Sequence, residues 1–140
     1  MIRIATLAAA ALLALTAVPV QAQDAQITLT YETGAHTGKV MVALFNSEEA
    51  YNGGQPVASA EADASGETAV AVFRNLPAGD YAARAYHDVN GDGRMNTNPF
   101  GMPSEPYAFS NNAVGMMGPA SWERAHFAVS GAIAQTISIR

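Results

Sequence analysis

The sequence predicts an all-β fold: a single-domain antiparallel β-sandwich of about seven strands with one long ordered loop. Apolar and polar residues alternate with period two along most of residues 27–139, as in strands that bury one face. Clusters of Gly, Asn, Ser and Pro interrupt these segments at intervals of about 8–12 residues. A length of 140 residues fits one domain, and no internal repeat or second domain is visible.

The first half of the chain supplies four strands and one helical turn. Residues 27–31 alternate strictly, whereas residues 40–45 are more continuously apolar, as expected near the middle of a sheet. Ser47 can cap a short helical turn, because its hydroxyl can accept a backbone N–H and acidic residues follow it. Residues 57–61 have the mixed polarity of an edge strand, and residues 68–74 alternate again.

The second half begins with a strand at residues 81–87 that leads into an acidic loop. Two closing strands are predicted at 126–129 and 132–139, with Ile133, Ile137 and Ile139 facing inward. Residues 122–124 are predicted to form a turn between the long loop and these strands.

Residues 99–119 form the long loop, since they contain four prolines, three glycines and little strand pattern. We expect it to be ordered, because a disordered segment would lack its apolar residues. The preferred interpretation is a satellite core that pins the loop to the sandwich, and the alternative is an exposed patch for a protein, peptide or glycan of the cell envelope. The residues concerned are Phe100, Met102, Tyr107, Phe109, Met116, Met117 and Trp122.

The N-terminus has the three parts of a secretory signal peptide. Arg3 is basic, residues 4–18 are apolar, and Val20-Gln21-Ala22 resembles a cleavage site. We therefore expect residues 1–22 to be removed and residues 23–140 to form a periplasmic or secreted β-sandwich domain. The apolar run is shorter than the ~20 residues of a membrane span, and no later stretch is long and apolar enough.

Charge and cysteine content exclude several classes of function. The formal net charge of −5 becomes −6 when Arg3 is removed, and such a surface argues against nucleic acid as a partner. The absence of cysteine excludes disulfides, thiolate metal ligands and a cysteine nucleophile.

The motif with the most defined chemistry is Asp88-Val89-Asn90-Gly91-Asp92-Gly93, the first half of an EF-hand-type calcium loop. Asp88, Asn90 and Asp92 occupy positions 1, 3 and 5, and the glycine at position 6 permits the sharp turn. Arg94 would offer its backbone carbonyl at position 7, and Asn96 would coordinate at position 9 directly or through water. Ca²⁺ is therefore the expected cofactor.

The motif lacks the glutamate that normally closes such a site at position 12, which is Pro99 here. Glu105 is the nearest downstream carboxylate, so either Glu105 folds back, or waters complete the shell, or the site is weak. The simpler alternative is an Asx-rich turn without metal, because Asn-Gly and Asp-Gly are strong turn dipeptides.

No recognisable catalytic geometry accompanies these residues, so we expect a protein without enzymatic activity. The alternative is a hydrolase-like enzyme in which His87 works with Asp88 or Glu105. The preferred role of His87 is a bridging hydrogen bond to the loop backbone. His36 lies between turn glycines and is expected to be solvated, and His126 has no visible partner.

Two groups of residues also resemble known families. The segment Phe73-Arg74-Asn75-Leu76-Pro77-Ala78-Gly79-Asp80-Tyr81 is similar to a turn found in transthyretin-like and carboxypeptidase-regulatory-like β-sandwiches. The acidic loop, followed by Phe100-Gly101-Met102-Pro103-Ser104-Glu105-Pro106-Tyr107 and Phe109-Ser110-Asn111-Asn112-Ala113, resembles the bacterial family called domain of unknown function 2141.

This resemblance covers about residues 40–127 and implies an exported, prealbumin-like Greek-key sandwich with no established activity. Its members usually carry Asp where this chain has Asn96, so one formal charge is missing from the expected calcium shell. Glu105 and the run Ser110-Asn111-Asn112 match the family pattern and are implied site residues without an assigned role.

Overall fold

The computed structural model describes residues 24–140, so the predicted signal peptide at residues 1–22 lies outside the described residues. The described range contains eight strands and two four-residue helices, α1 Glu48–Tyr51 and α2 Trp122–Ala125. The strands are β1 Ala25–Thr33, β2 Lys39–Phe45, β3 Ala58–Asp63, β4 Thr68–Leu76, β5 Gly79–Asp88, β6 Tyr107–Phe109, β7 Phe127–Val129 and β8 Ala132–Ile139. The predicted all-β sandwich is confirmed, with eight strands instead of about seven.

Two sheets make up the sandwich. The smaller sheet has the order β4-β1-β8, with β1 antiparallel to β4 and parallel to β8, and this parallel pair departs from the predicted antiparallel arrangement. The larger sheet has the order β3-β2-β5-β6, and β7 also pairs with β5. Strands β6 and β7 share one side of β5: β6 pairs with Arg84–Tyr86 and β7 with Gly79–Tyr81.

The main core lies between the sheets and follows directly from the period-two pattern. Ile27, Leu29 and Tyr31 of β1 are buried, as are Ile137 and Ile139 of β8. Ile133 is only partly buried but packs against the same core, which agrees with its predicted inward position. In β4 the small residues Ala69 and Ala71 face inward together with Phe73, and the two valines between them face solvent.

Short polar motifs close the connections between strands. Ser47 accepts a hydrogen bond from the backbone N–H of Ala50 at 3.2 Å, so the predicted cap of α1 is confirmed. The Tyr81 hydroxyl donates to the carbonyl of Pro77 at 2.6 Å, which fixes the turn between β4 and β5. This bond explains why the turn ends in tyrosine, since such tyrosine corners close the connections of sandwich folds.

The structure corrects the prediction for residues 99–119 in two respects. The segment contains β6 and, directly after it, a 3₁₀ turn at Ser110–Asn112, so it is not wholly irregular. The predicted satellite core is also wrong for most of its residues. Phe109 is buried and Trp122 packs on a second small core, whereas the others are exposed: Phe100, Met102, Tyr107, Met116 and Met117.

No helix among residues 24–140 is long and apolar enough to cross a membrane.

Candidate functional site

The acidic loop, residues 88–98 (the Asx loop), begins where β5 ends, and its first residue is held by the neighbouring strand. Asp88 is the last residue of β5 and pairs with Lys39 of β2. Gly38, just before β2, has a φ of 70°, and a Cβ there would collide with the carbonyl oxygen of Asp88. Only glycine therefore permits this close approach, which packs the β1–β2 turn against the base of the Asx loop.

The Asp88 carboxylate organises the turn. Its side chain is 2% exposed, and its two oxygens accept the backbone N–H groups of Asp92 at 3.2 Å and Gly93 at 2.8 Å. Gly93 has a φ of 77°, the left-handed conformation that the sharp turn requires. Positions 1, 5 and 6 of the predicted motif are thus joined by hydrogen bonds.

The three remaining side chains of the predicted shell contact one another. The Asn90 amide nitrogen lies 3.1 Å from Asn96 Oδ1 and 3.5 Å from Asp92 Oδ2, and the Asn96 amide nitrogen donates to Asp92 Oδ2 at 2.8 Å. Asp92 Oδ1 accepts the backbone N–H of Arg94 at 2.9 Å. The structure therefore brings Asn90, Asp92 and Asn96 together on the open side of the loop, and the use of the Arg94 carbonyl as a ligand stays a prediction.

Glu105 returns to the loop and holds both of its ends. Its side chain is 8% exposed; Oε1 accepts the backbone N–H of Val89 at 3.1 Å and Oε2 accepts that of Asn96 at 3.0 Å. The intervening residues form a small hairpin, with an isolated bridge between Thr97 and Pro103 and a bond from Ser104 N–H to the Asn96 carbonyl. Glu105 thus folds back to the loop, as the first of the three alternatives requires, and its use as a metal ligand stays a prediction.

The loop creates a negative electrostatic field. Burial, followed by the charges of Asp88, Glu105 and Asp92, raises the pKa of Tyr86, whose hydroxyl donates to the Gly93 carbonyl at 3.2 Å. Hydrogen bonds from the Asn96 amide and the Arg94 N–H lower the pKa of Asp92, so this carboxylate is ionised at neutral pH. Such a field favours a cation.

The donor set fits a hard cation, since every candidate ligand atom is an oxygen. The carboxylate oxygens of Asp88 and Glu105 each accept one N–H and keep a second lone pair for an ion, as does Asp92 Oδ1, whereas Asp92 Oδ2 already faces two amide nitrogens. Among residues 24–140, no group of three His, Cys, Asp or Glu side chains is placed to hold a metal. An ion in this loop would therefore depend on amide and backbone oxygens in addition to carboxylates.

His87 does not form the acid–base pair that the enzymatic alternative requires. Its side chain is fully buried; Nε2 lies 2.6 Å from the Thr37 carbonyl, and Nδ1 has no hydrogen-bond partner among the described residues. The predicted bridge to a loop backbone exists, but to the β1–β2 turn and not to the Asx loop. His36 is exposed as expected, whereas His126 does have a neighbour, because its ring stacks on Trp122 at 5.3 Å.

Ser110 bridges a gap along β5 that sequence reasoning did not anticipate. Ala83 of β5 pairs with Leu44 of β2 on one side but has no strand partner in β6 or β7, and Ser110 Oγ accepts its N–H at 2.9 Å. The same hydroxyl donates to the Ala125 carbonyl at 2.6 Å. No local sequence signal at Ser110 indicates this role.

Asn111 and Asn112 attach the long loop to the edge strand β8. Both have positive φ angles, 62° and 50°. The Asn112 amide donates to the Thr136 carbonyl at 3.1 Å and accepts the Ser138 N–H at 2.9 Å, as a neighbouring strand would. The family-like Ser-Asn-Asn run therefore has a structural role, and consecutive asparagines, which tolerate left-handed geometry, were its sequence signal.

A groove of about 1100 Å³ lies on the outer face of the larger sheet, beside the Asx loop. We call it the Arg84 groove. Its floor consists of outward-facing residues of β2, β3 and β5, and its walls come from the hairpin after the Asx loop and from residues 115–119. Its lining includes Met41, Glu61, Arg84, Met95, Met102 and Met117.

Arg84 was not among the predicted site residues, although the alternation of β5 indicates which way it faces. Arg84 and Tyr86 alternate with the buried Ala83 and Ala85, so they must face away from the main core. The Arg84 guanidinium lies 4.1 Å from the centre of the Tyr51 ring and 5.7 Å from that of Phe45. These aromatic contacts hold the cation at one end of the groove.

Comparison with known proteins agrees with the sequence motifs. No curated protein and no solved structure gives a significant match to this chain. A family model described as "Uncharacterized protein conserved in bacteria (DUF2141)" matches residues 31–137. This match spans all of β2 to β7, the Asx loop and the Ser-Asn-Asn run, and the chain belongs to the DUF2141 family.

Proposed function

We propose that this protein is a non-enzymatic binding module of the bacterial cell envelope, exported to the periplasm or beyond, with an Asx loop that is stabilised by Ca²⁺. The ion would be held by side-chain oxygens of Asp88, Asn90, Asp92, Asn96 and Glu105 and by the Arg94 carbonyl. The observation that carries this proposal is the return of Glu105 to the loop, because it supplies a carboxylate where the sequence motif lacks its twelfth ligand.

The ion would act on stability and shape. Three carboxylates repel one another in the loop, and a divalent cation offsets that repulsion while joining the two ends that Glu105 already bridges. The Asx loop and the hairpin after it form one wall of the Arg84 groove. Calcium would therefore stiffen a wall of the binding surface.

Calcium titration with thermal unfolding tests the proposal. If the dissociation constant is ~10⁻⁴–10⁻³ M, as in extracellular modules, ten millimolar Ca²⁺ adds about 1.4–2.7 kcal/mol to the free energy of unfolding. For a domain of this size, we expect the melting temperature to rise by roughly 5–10 °C and cleavage by proteases within residues 88–112 to slow.

Two Asx turns in the same chain provide a matched pair of variants. Asp92→Asn removes a charge from the proposed site, whereas Asp63→Asn changes an exposed aspartate that also accepts a backbone N–H two residues later, from Ser65 at 2.7 Å. We expect Asp92→Asn alone to weaken the calcium response. An unchanged melting temperature of the parent protein at ten millimolar Ca²⁺ would refute the proposal.

A further inference from the structure

We infer that the Arg84 groove binds an aliphatic chain that carries a carboxylate, with the carboxylate at Arg84 and the chain along the methionines of the floor and walls. This inference rests on the proposed binding function and names the chemical class of its ligand. It draws on three observations: the volume and position of the groove, the apolar side chains that line it, and the charge of Arg84.

The groove is large and open enough for a flexible chain. Its volume of about 1100 Å³ is slightly above the ~300–1,000 Å³ that is usual for small-molecule sites. It follows the outer surface of the sheet, so a ligand can enter from the side without unfolding of the main core. The groove therefore has room for a chain of a dozen carbons that lies on the outer face of the sheet.

Four methionines line the groove: Met41, Met95, Met102 and Met117. Two of them are conspicuously exposed, Met102 at 63% and Met117 at 109%, and the neighbouring Tyr107 is 49% exposed. Exposed apolar side chains in one place indicate a binding surface. Methionine is flexible and polarisable, so such a wall adapts to an aliphatic chain better than to a rigid polar molecule.

The charge in the groove specifies the polar end of the ligand. Of residues 24–140, only Glu61 and Arg84 are charged residues that line the groove, and Glu61 is bound to Lys39 at 2.7 Å. Within residues 24–140, no carboxylate lies within 4.0 Å of the Arg84 guanidinium, and its buried Nε has no hydrogen-bond partner. Arginine always carries its charge, so the groove presents one uncompensated cation in an otherwise acidic protein.

A carboxylate is the complement of this cation, since guanidinium and carboxylate form charge-assisted and often bidentate hydrogen bonds. The aromatic rings of Tyr51 and Phe45 already orient the guanidinium, so little side-chain freedom remains to be lost on binding. An amphiphile with its head at Arg84 would place its chain toward the methionines of the loop wall.

Isothermal titration calorimetry with dodecanoate, below its critical micelle concentration, tests this inference on the purified protein. We expect saturable binding of one dodecanoate per chain. Dodecanol, which has the same chain without the carboxylate, is expected to bind about tenfold more weakly or worse, because it lacks a charge-assisted bond to Arg84. Dodecyltrimethylammonium, with the opposite charge, is expected not to compete.

Two variants assign the site. Arg84→Gln is expected to weaken dodecanoate binding at least tenfold and to leave dodecanol binding unchanged. Met117→Glu places a repelling charge on the exposed wall, at a side chain that is fully exposed, and is expected to weaken dodecanoate binding relative to Met117→Gln. Circular dichroism establishes folding, and the Met117 pair decides the question if Arg84→Gln does not fold.

The inference is overturned if dodecanoate does not bind, if it binds Met117→Glu and Met117→Gln equally, or if the cationic amphiphile binds equally well. Dodecanoate is titrated in calcium-free buffer and Ca²⁺ is titrated without dodecanoate, because calcium dodecanoate is insoluble, and the two separate titrations distinguish this inference from the proposed calcium site. If dodecanoate binds and Ca²⁺ does not change the melting temperature, the calcium site alone is refuted. If Ca²⁺ raises the melting temperature and dodecanoate does not bind, the ligand assignment alone is refuted.

Discussion

Glu105 accepts a hydrogen bond from the backbone N–H of Val89, 3.1 Å away and sixteen residues earlier in the chain. The other oxygen of the same carboxylate accepts the N–H of Asn96. One buried side chain thus joins the first and last parts of the Asx loop. The hairpin that ends at Glu105 also forms a wall of the Arg84 groove. The Glu105 carboxylate therefore fixes the position of this wall relative to the Asx loop.

Replacement of Glu105 by glutamine is expected to destabilise the protein by about 1–3 kcal/mol, because an amide can accept only one of the two N–H groups and the other loses a charge-assisted bond. Urea unfolding measures this change, and hydrogen exchange locates it at the Val89 and Asn96 amides. Glu67→Gln, at an exposed site in the turn before β4, is the control and is expected to be neutral. Unchanged hydrogen exchange at both amides would show that Glu105 does not join the two parts of the Asx loop.

The ionisation of Tyr86 reports the field of the Asx loop. Burial raises the pKa of Tyr86 first, and the charges of Asp88, Glu105 and Asp92 raise it further. Asp92→Asn is therefore expected to lower the pKa of Tyr86, and Ca²⁺ is expected to lower it as well, since a cation stabilises the phenolate.

Ultraviolet absorbance of the phenolate, compared with Tyr86→Phe to isolate this one tyrosine, measures the shift. Asp63→Asn, whose carboxylate lies outside the Asx loop, is the control and is expected to leave the titration unchanged. If Asp92→Asn has no effect on the titration of Tyr86, the loop does not produce the field that we describe.

The sequence predicted the structure correctly where a residue pattern is compatible with only one backbone geometry. Alternation in β1 and β8 identified the inward residues, because a strand has only two faces, and the spacing of Asp88, Asn90 and Asp92 identified a loop that converges on itself. The exposed methionines were misjudged because apolar character predicts burial in general but does not say whether a loop folds inward. The function of Ser110 depends on β6 and β7 leaving a gap along β5, and such long-range pairing is not visible in local sequence.

Asn112 offers a test of how the long loop is attached. Asn112→Ala is expected to cost about 2–3 kcal/mol, since it removes two hydrogen bonds to β8 and places alanine at a φ of 50°. Asn112→Gly removes the same bonds without the left-handed strain, so we expect it to be less destabilising by about 1 kcal/mol. Equal stabilities of the two variants in chemical unfolding would show that backbone geometry at Asn112 contributes nothing.

Two core-facing tyrosines give opposite predictions for the same substitution. Tyr31 is 1% exposed, and its hydroxyl has no hydrogen-bond partner among the described residues, whereas the Tyr81 hydroxyl donates to Pro77. Tyr31→Phe removes an unsatisfied buried polar group and is expected to stabilise the protein by about 1–2 kcal/mol. Tyr81→Phe is expected to destabilise it by about 1 kcal/mol. Thermal unfolding at neutral pH measures both, and a destabilised Tyr31→Phe would mean that its hydroxyl is satisfied in solution.

Tyr31 also predicts how stability changes at high pH. Burial raises the pKa of Tyr31 well above its ordinary value of 10.0 in the folded protein. A group whose folded pKa is raised contributes stability that is fully present below the unfolded pKa and is lost as pH rises toward the folded one. Unfolding free energy is therefore expected to fall above pH ~10, and this fall is expected to be smaller in Tyr31→Phe. Chemical unfolding at a series of alkaline pH values makes the comparison, and identical slopes for the two proteins would exclude Tyr31 as the group responsible.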